Sequence, residues 1–291
     1  MLQADLALEA VYNEVMTEIA KTVLEWTYEP KNFFEEKTTL AHADGLIEIG
    51  EGKARGEFDA VRFDEGEAFW KPMHGFLESA FLAQQIQVHL SYTLAQPALA
   101  RVHPDGRRDV SLFVESAVMV MSVGTVDIIV RDANGNITSD SKAERLGKQA
   151  QFRADVGRIL PHDIALKRML QSFRNALEDR DNLLIHLYEI RETLSAEFSG
   201  EKAAREAVSV SSGDWSKFGR LANEEPLLEG RHRGKHAALR KARPDESAWT
   251  LEFGQRLIEG YVQARSRTHP PNPKRPFGEQ LPSHPWNPIG E

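Results

Sequence analysis

LPHDIALKRMLQSFRNALEDRDNLLIHLYEIRETL, residues 160–194, is the stretch on which the fold turns. Within it Leu166, Met169, Leu170, Phe173 and Leu177 recur at steps of three and four, and Leu183, Leu184, Leu187, Ile190 and Leu194 do so again. That spacing puts each set on one side of an α-helix, and Pro161 suits a helix start, so the stretch reads as two amphipathic helices packed together. Further helices are predicted over 202–208, over 214–223 with Asp214 as N-cap, and after Pro244 with Asp245 as N-cap. The last carries Trp249, Phe253, Leu257, Ile258, Tyr261 and Val262 on one side.

Upstream of about residue 157 the period is mostly two. Residues 38–43 and 46–49 flank Asp44-Gly45, and 98–103 and 109–115 flank Pro104-Asp105-Gly106. Residues 118–130 precede Asn134-Gly135 and Ile137. Each is a hairpin pattern, because the turn needs residues that tolerate positive φ. IQVHLSYTL, residues 86–94, alternates as well. Residues 65–84 suit a helix interrupted by Pro72 and Gly75. Ahead of the strands, Leu8, Val11, Val15, Ile19 and Val23 predict a helix over residues 3–27. The fold class is therefore α+β. A helix and an antiparallel β-domain of sandwich or barrel type occupy 1–157, an all-helical domain 158–268, and a tail 269–291. From Pro270 onward the tail holds seven of the fourteen prolines in 22 residues, a composition that excludes helix and central strand.

The chain has 291 residues, a formal net charge of −8, 41% hydrophobic and 27% charged residues, and no cysteine. This is the composition of a globular protein. The absence of sulfur ligands excludes a disulfide framework, a thiolate zinc site, an iron–sulfur cluster and a cysteine nucleophile. No apolar run approaches the roughly 20 residues that span a bilayer, and Asp5 and Glu9 stand where a secretory signal needs positive charge, so a cytoplasmic location is expected. No phosphate-binding glycine loop and no G-x-S-x-G elbow is present, and no cofactor is expected. His42, His74, His89 and His103 share no metal-ligand spacing and are expected to be structural.

Against the acidic whole, residues 231–243 read RHRGKHAALRKAR: six Lys or Arg and two His in thirteen residues, with no acid. A local reversal of charge favours a phosphate-bearing partner, and Arg with His is a sufficient set for metal-free RNA cleavage. The bland alternative is a solvated basic loop.

Arg231 and His236 have four residues between them, with His232 directly after the Arg, ahead of the long last helix. This resembles the motif of the HEPN superfamily, and His186-Leu187-Tyr188-Glu189-Ile190 is similar to the early helix of bacterial members with a β-rich N-terminal part. The resemblance covers about residues 160–266. It implies a homodimeric, metal-independent endoribonuclease of phage-defence or toxin type. Arg231 would place the scissile phosphate, His232 or His236 would act as acid or base, and Lys235 would assist. Arg233, Lys235, Arg240, Lys241 and Arg243 would bind the nucleic acid. Arg180 and His186, with five residues between them, also fall within the Arg-x4-6-His range and form a secondary pair. Gly234 departs from the family pattern, in which the motif lies inside a helix.

Residues 203–223 also resemble a helix-turn-helix, with Trp215, Ser216, Lys217 and Arg220 on its second helix, although Asp214 at the start repels phosphate. The second reading is thus a non-enzymatic nucleic-acid-binding or interaction protein using that hairpin and the basic segment. A third is a structural module of a larger assembly.

Overall fold

The computed structural model describes residues 20–103, 107–111, 129–131 and 137–268. The fold is α+β, with an antiparallel sheet in the N-terminal half and helices in the C-terminal half. In chain order the strands are β1 (Lys21–Glu29), β2 (Thr38–His42), β3 (Gly45–Gly50), β4 (Lys53–Asp59), β5 (Thr93–Leu94), β6 (Ala98–Val102), β7 (Arg108–Ser111), β8 (Ile129–Arg131) and β9 (Ile137–Asp140). The helices are α1 (Glu67–Val88), α2 (Ser141–Ile159), α3 (Ile164–Glu178), α4 (Leu183–Glu197), α5 (Glu201–Ala207), α6 (Ser212–Asn223) and α7 (Pro244–Thr268).

The described residues fall into two compact units. The first comprises 20–74, 95–103 and 107–111, with the sheet order β2-β3-β4-β1-β6-β7, an antiparallel sheet that is open among the described residues. β1 lies at its centre, pairing Val23 with Glu57 of β4 on one side and with Ala100 of β6 on the other. This corrects the helix expected over 3–27 for its last part, the remainder lying outside the described residues. Thr22, Leu24, Trp26 and Tyr28 are buried on one face, while Lys21 and Thr27 are exposed on the other, where Val23 alone is buried, so the alternation of a strand prevails over the helical spacing. In the β2–β3 hairpin the turn falls at Ala43-Asp44 and Gly45 opens β3. At its φ of +155° an added Cβ would lie 2.9 Å from the Glu57 carbonyl oxygen, which is why glycine stands there. Within β6–β7 the Pro104-Asp105-Gly106 turn lies outside the described residues, as do 118–128 and Asn134-Gly135 beside the antiparallel pair β8–β9.

α1 is unbroken through Pro72 and runs past the expected strand start at Ile86. An interior proline costs a helix about 3 kcal/mol, whereas each fully buried large apolar side chain contributes about 1.5–3 kcal/mol. Phe69, Trp70, Met73, Leu77, Phe81 and Ile86 are all buried, so burial wins. Its residues to His74 belong to the first unit and those from Gly75 to the second. A second correction concerns residues 141–156, expected as part of the β-domain. They form most of α2, capped by Asp140, whose side chain accepts from the Ala143 N–H at 3.0 Å.

The second unit comprises 75–94, β8–β9 and 137–268. Leu166, Met169, Leu170, Phe173 and Leu177 of α3 and Leu183, Leu184, Leu187, Ile190 and Leu194 of α4 are buried as the spacing predicts. Asp163 caps α3 and accepts from the Tyr261 hydroxyl at 2.9 Å, tying α7 to that cap. α6 is capped by Ser211, not Asp214, because the Ser211 hydroxyl accepts from the Asp214 N–H at 3.0 Å. α7 begins at Pro244, which leaves Asp245 inside the first turn instead of at the cap. No helix among the described residues is long and apolar enough to cross a membrane.

Candidate nucleic-acid interface

The basic segment lies on the loop between α6 and α7, and that loop is closed at its base. Arg240 N–H donates to the Pro226 carbonyl at 2.8 Å, Leu228 N–H to the Arg240 carbonyl at 2.9 Å, and Ala242 N–H to Glu229 Oε2 at 2.9 Å. Arg231 N–H donates to the Ala222 carbonyl at 2.8 Å, fastening the loop to the end of α6. Between these ties Arg233–Lys235 makes a single 3₁₀ turn, with His236 N–H donating to the Arg233 carbonyl at 3.3 Å. An added Cβ on Gly234 would meet nothing within 4 Å, so its backbone freedom, not crowding, limits helix there.

The side chains of this segment diverge. Arg231 turns to α4, where its Nη1 lies 3.1 Å from Glu192 Oε1 and its guanidinium carbon 4.1 Å from the Tyr188 ring centroid. Arg233 turns to the start of α4, donating to Asn182 Oδ1 at 2.5 Å, to the Asp181 carbonyl at 2.7 Å and to the Gly230 carbonyl at 3.1 Å. Arg240 forks onto Glu246 at 2.7 and 2.9 Å, and Arg243 reaches the same carboxylate at 3.1 Å and Asp245 at 3.2 Å. The Arg240 guanidinium and the Arg243 backbone N–H hold the Glu246 carboxyl down at about 2. Lys235 and Lys241 are exposed and form no ion pair among the described residues, and His232 is exposed beside them. His236 is half-buried, with its Nε2 shielded from solvent and unpartnered.

The secondary pair separates in the same way. His186 Nε2 lies 3.2 Å from Asp179 Oδ2, the oxygen that also accepts from Asn182 Nδ2 at 2.7 Å. Those two contacts, Asn182 first, lower the Asp179 pKa. Since Asn182 also receives Arg233, an unbroken chain of contacts runs from His186 through Asp179 and Asn182 to the basic loop. Arg180 opens the neighbouring 3₁₀ turn and makes no side-chain hydrogen bond or ion pair among the described residues.

Sequence reasoning missed Tyr188, Glu192, Asn182 and Glu246 as partners of the loop. Two signals were readable: Tyr188 and Glu192 are four residues apart on α4 and so share a face, and Glu246 follows Arg243 by three. On the helix-turn-helix-like hairpin, Trp215 and Phe218 are buried at 2% and 0% exposure and belong to the core. Its basic side chains are engaged locally, Lys217 lying 3.8 Å from the Trp249 ring centroid and Arg220 3.8 Å from Glu225. Of the scattered histidines, His42 lies 3.2 Å from Asp44, His89 2.8 Å from Gln255 and His103 2.7 Å from Asp109. His74 Nδ1 accepts from the Trp26 indole at 3.2 Å. No protein-family model, curated protein or solved structure matches the chain.

Proposed function

We propose that this chain binds single-stranded RNA through the loop of residues 230–243. The observation that carries the reading is the exposure of Lys235, Lys241 and His232, without ion-pair partners among the described residues, on a loop tied at its base by backbone hydrogen bonds. Fixed unpaired cations release counterions to phosphate at little reorganisation cost. Arg231 is already held against Tyr188 and Glu192, so the phosphate contacts in this reading fall first to the two lysines. In its stronger form, which rests on the HEPN resemblance, a homodimer cleaves the RNA without metal, with Arg231 and His232 or His236 in the acid–base site.

The test is equilibrium binding of a single-stranded RNA across a salt series. Lys235→Ala and Lys241→Ala are each expected to lower the slope of log K against log salt by about 0.7. His232→Ala should leave affinity nearly unchanged at neutral pH. Cleavage, if catalysed, persists in EDTA and falls by about 10² to 10⁴-fold in one of the two His variants while binding survives. No binding at low salt, or slopes unchanged in both Lys variants, overturns the reading.

One observation favours the interaction or structural module instead. Arg231, Arg233, Arg240 and Arg243 all face carboxylates or carbonyls, so much of the segment's charge is neutralised within the fold. On that reading the arginines fasten the loop to α4 and α7, and Arg233→Ala lowers stability without any RNA phenotype, because there is none to lose.

A further inference from the structure

Tyr188 and Glu192 sit one turn apart on α4 and both meet Arg231. The guanidinium lies over the Tyr188 ring, and its side chain is still 29% exposed; the Glu192 side chain is 55% exposed. Glu192 Oε1 faces Arg231, while Oε2 takes no hydrogen bond among the described residues. A guanidinium plane backed by an aromatic ring is a surface on which unpaired nucleobases stack. Beside it, the Glu192 carboxylate can present Oε2 together with the second lone pair of Oε1, which it shares with Arg231, to a base edge that offers two adjacent donors. Guanine is the base with that edge, through N1–H and the N2 amino group. Adenine and cytosine pair one donor with a ring-nitrogen acceptor, and uracil has a single N–H flanked by carbonyls.

We propose that Arg231, Tyr188 and Glu192 form a binding site for a guanine base, taken from single-stranded RNA or from a free guanine nucleotide. For the RNA source this rests on the reading above, and it assigns Arg231 to a base instead of a phosphate. Arg231 supplies the stacking plane, Tyr188 fixes that plane against α4, and Glu192 reads the edge.

The experiment uses the full chain and two kinds of probe: oligouridines carrying one guanine or one adenine, and the free nucleotides GMP and AMP. The guanine oligonucleotide is expected to bind on the order of tenfold more tightly than its adenine counterpart, with GMP preferred over AMP in the same sense. Glu192→Gln should turn the preference toward adenine, because a carboxamide presents one donor and one acceptor and so complements adenine's edge. Arg231→Lys should weaken both bases alike, since an ammonium has charge but no plane. Equal binding of guanine and adenine by the wild type, or a guanine preference that survives Glu192→Gln, overturns the site. Should the oligonucleotides bind alike and tightly, the guanine site falls and RNA binding stands. If neither oligonucleotide binds but GMP is preferred over AMP, the RNA reading falls and the guanine site stands. If no probe binds, both fall.

Discussion

Gly260→Ala is expected to destabilise the helical unit by about 2–3 kcal/mol, against the usual rule that alanine improves a helix by up to about 1 kcal/mol. An added Cβ there would lie 2.6 Å from the Val208 carbonyl oxygen, 2.8 Å from its Cβ and 2.9 Å from its Cα. Two of these atoms are backbone, and Val208 is the C-cap of α5, with its N–H bonded to the Ala204 carbonyl at 3.0 Å. α7 must therefore move away from α5 along its length. Gly147→Ala in α2 is the matched control, because nothing lies within 4 Å of its added Cβ, and it should raise stability by up to about 1 kcal/mol. Urea unfolding followed by circular dichroism at 222 nm measures both. A Gly260 variant as stable as the wild type would contradict the close approach of α7 to α5.

The second large effect belongs to Glu246, which is 8% exposed, accepts from Arg240 twice and from the Arg243 N–H, and forms an ion pair with the Arg243 guanidinium. Glu246→Gln keeps the volume and removes the charge. We expect a loss of about 2 kcal/mol at pH 7, below what a fully buried pair would give because the Arg240 side chain is 38% exposed and screened by solvent. The pH dependence has a definite sign. The carboxyl titrates at about 2 in the fold and at an ordinary 4.5 when released, so its contribution is complete above about 4.5 and fades as pH falls toward 2. The gap between wild type and Glu246→Gln should therefore close between pH 5 and pH 2, and a gap that stays constant with pH would remove Arg240 as its cause.

Legibility in the sequence followed the shape of each element's buried surface. α3 and α4 bury one apolar stripe apiece, so steps of three and four located them and named their core residues. α2 was invisible for the opposite reason: its buried residues are Gln149, Arg153, Val156 and Ile159, half of them polar, so no stripe exists to read. α1 buries residues around much of its circumference, Phe69, Trp70, Met73, Ala80, Phe81, Leu82 and Ala83 among them, which blurs the helical period and lets the final IQVHL pass for alternation. β1 does carry a period of two, with Thr22, Leu24, Trp26 and Tyr28 buried and Lys21 and Thr27 exposed, but Val23 also continues the three-and-four spacing of Leu8, Val11, Val15 and Ile19, and that spacing draws the helix expectation across it. At the candidate site the charge run itself was plain. Its neutralisation was legible only in part: Glu246 stands three residues after Arg243 and is close in sequence, whereas Glu192 lies on α4 and only folding delivers it to Arg231, as it delivers the neutral Asn182 amide to Arg233.

The division of α1 between two units carries a consequence for how the chain is made on the ribosome. Its second part emerges early, yet the groups that engage it come much later: Gln84 meets Arg153, Glu78 meets Arg174, and Gln87 waits for Glu259, 172 positions downstream, while His89 just beyond its end meets Phe173 and Gln255. At about 5–20 residues per second that wait lasts roughly 10–30 seconds, during which Leu77, Phe81 and Ile86 have no finished core to enter. Until residue 259 emerges the nascent chain thus presents an apolar helix to its surroundings, a natural target for a chaperone and a reason for expression yield to depend on translation speed.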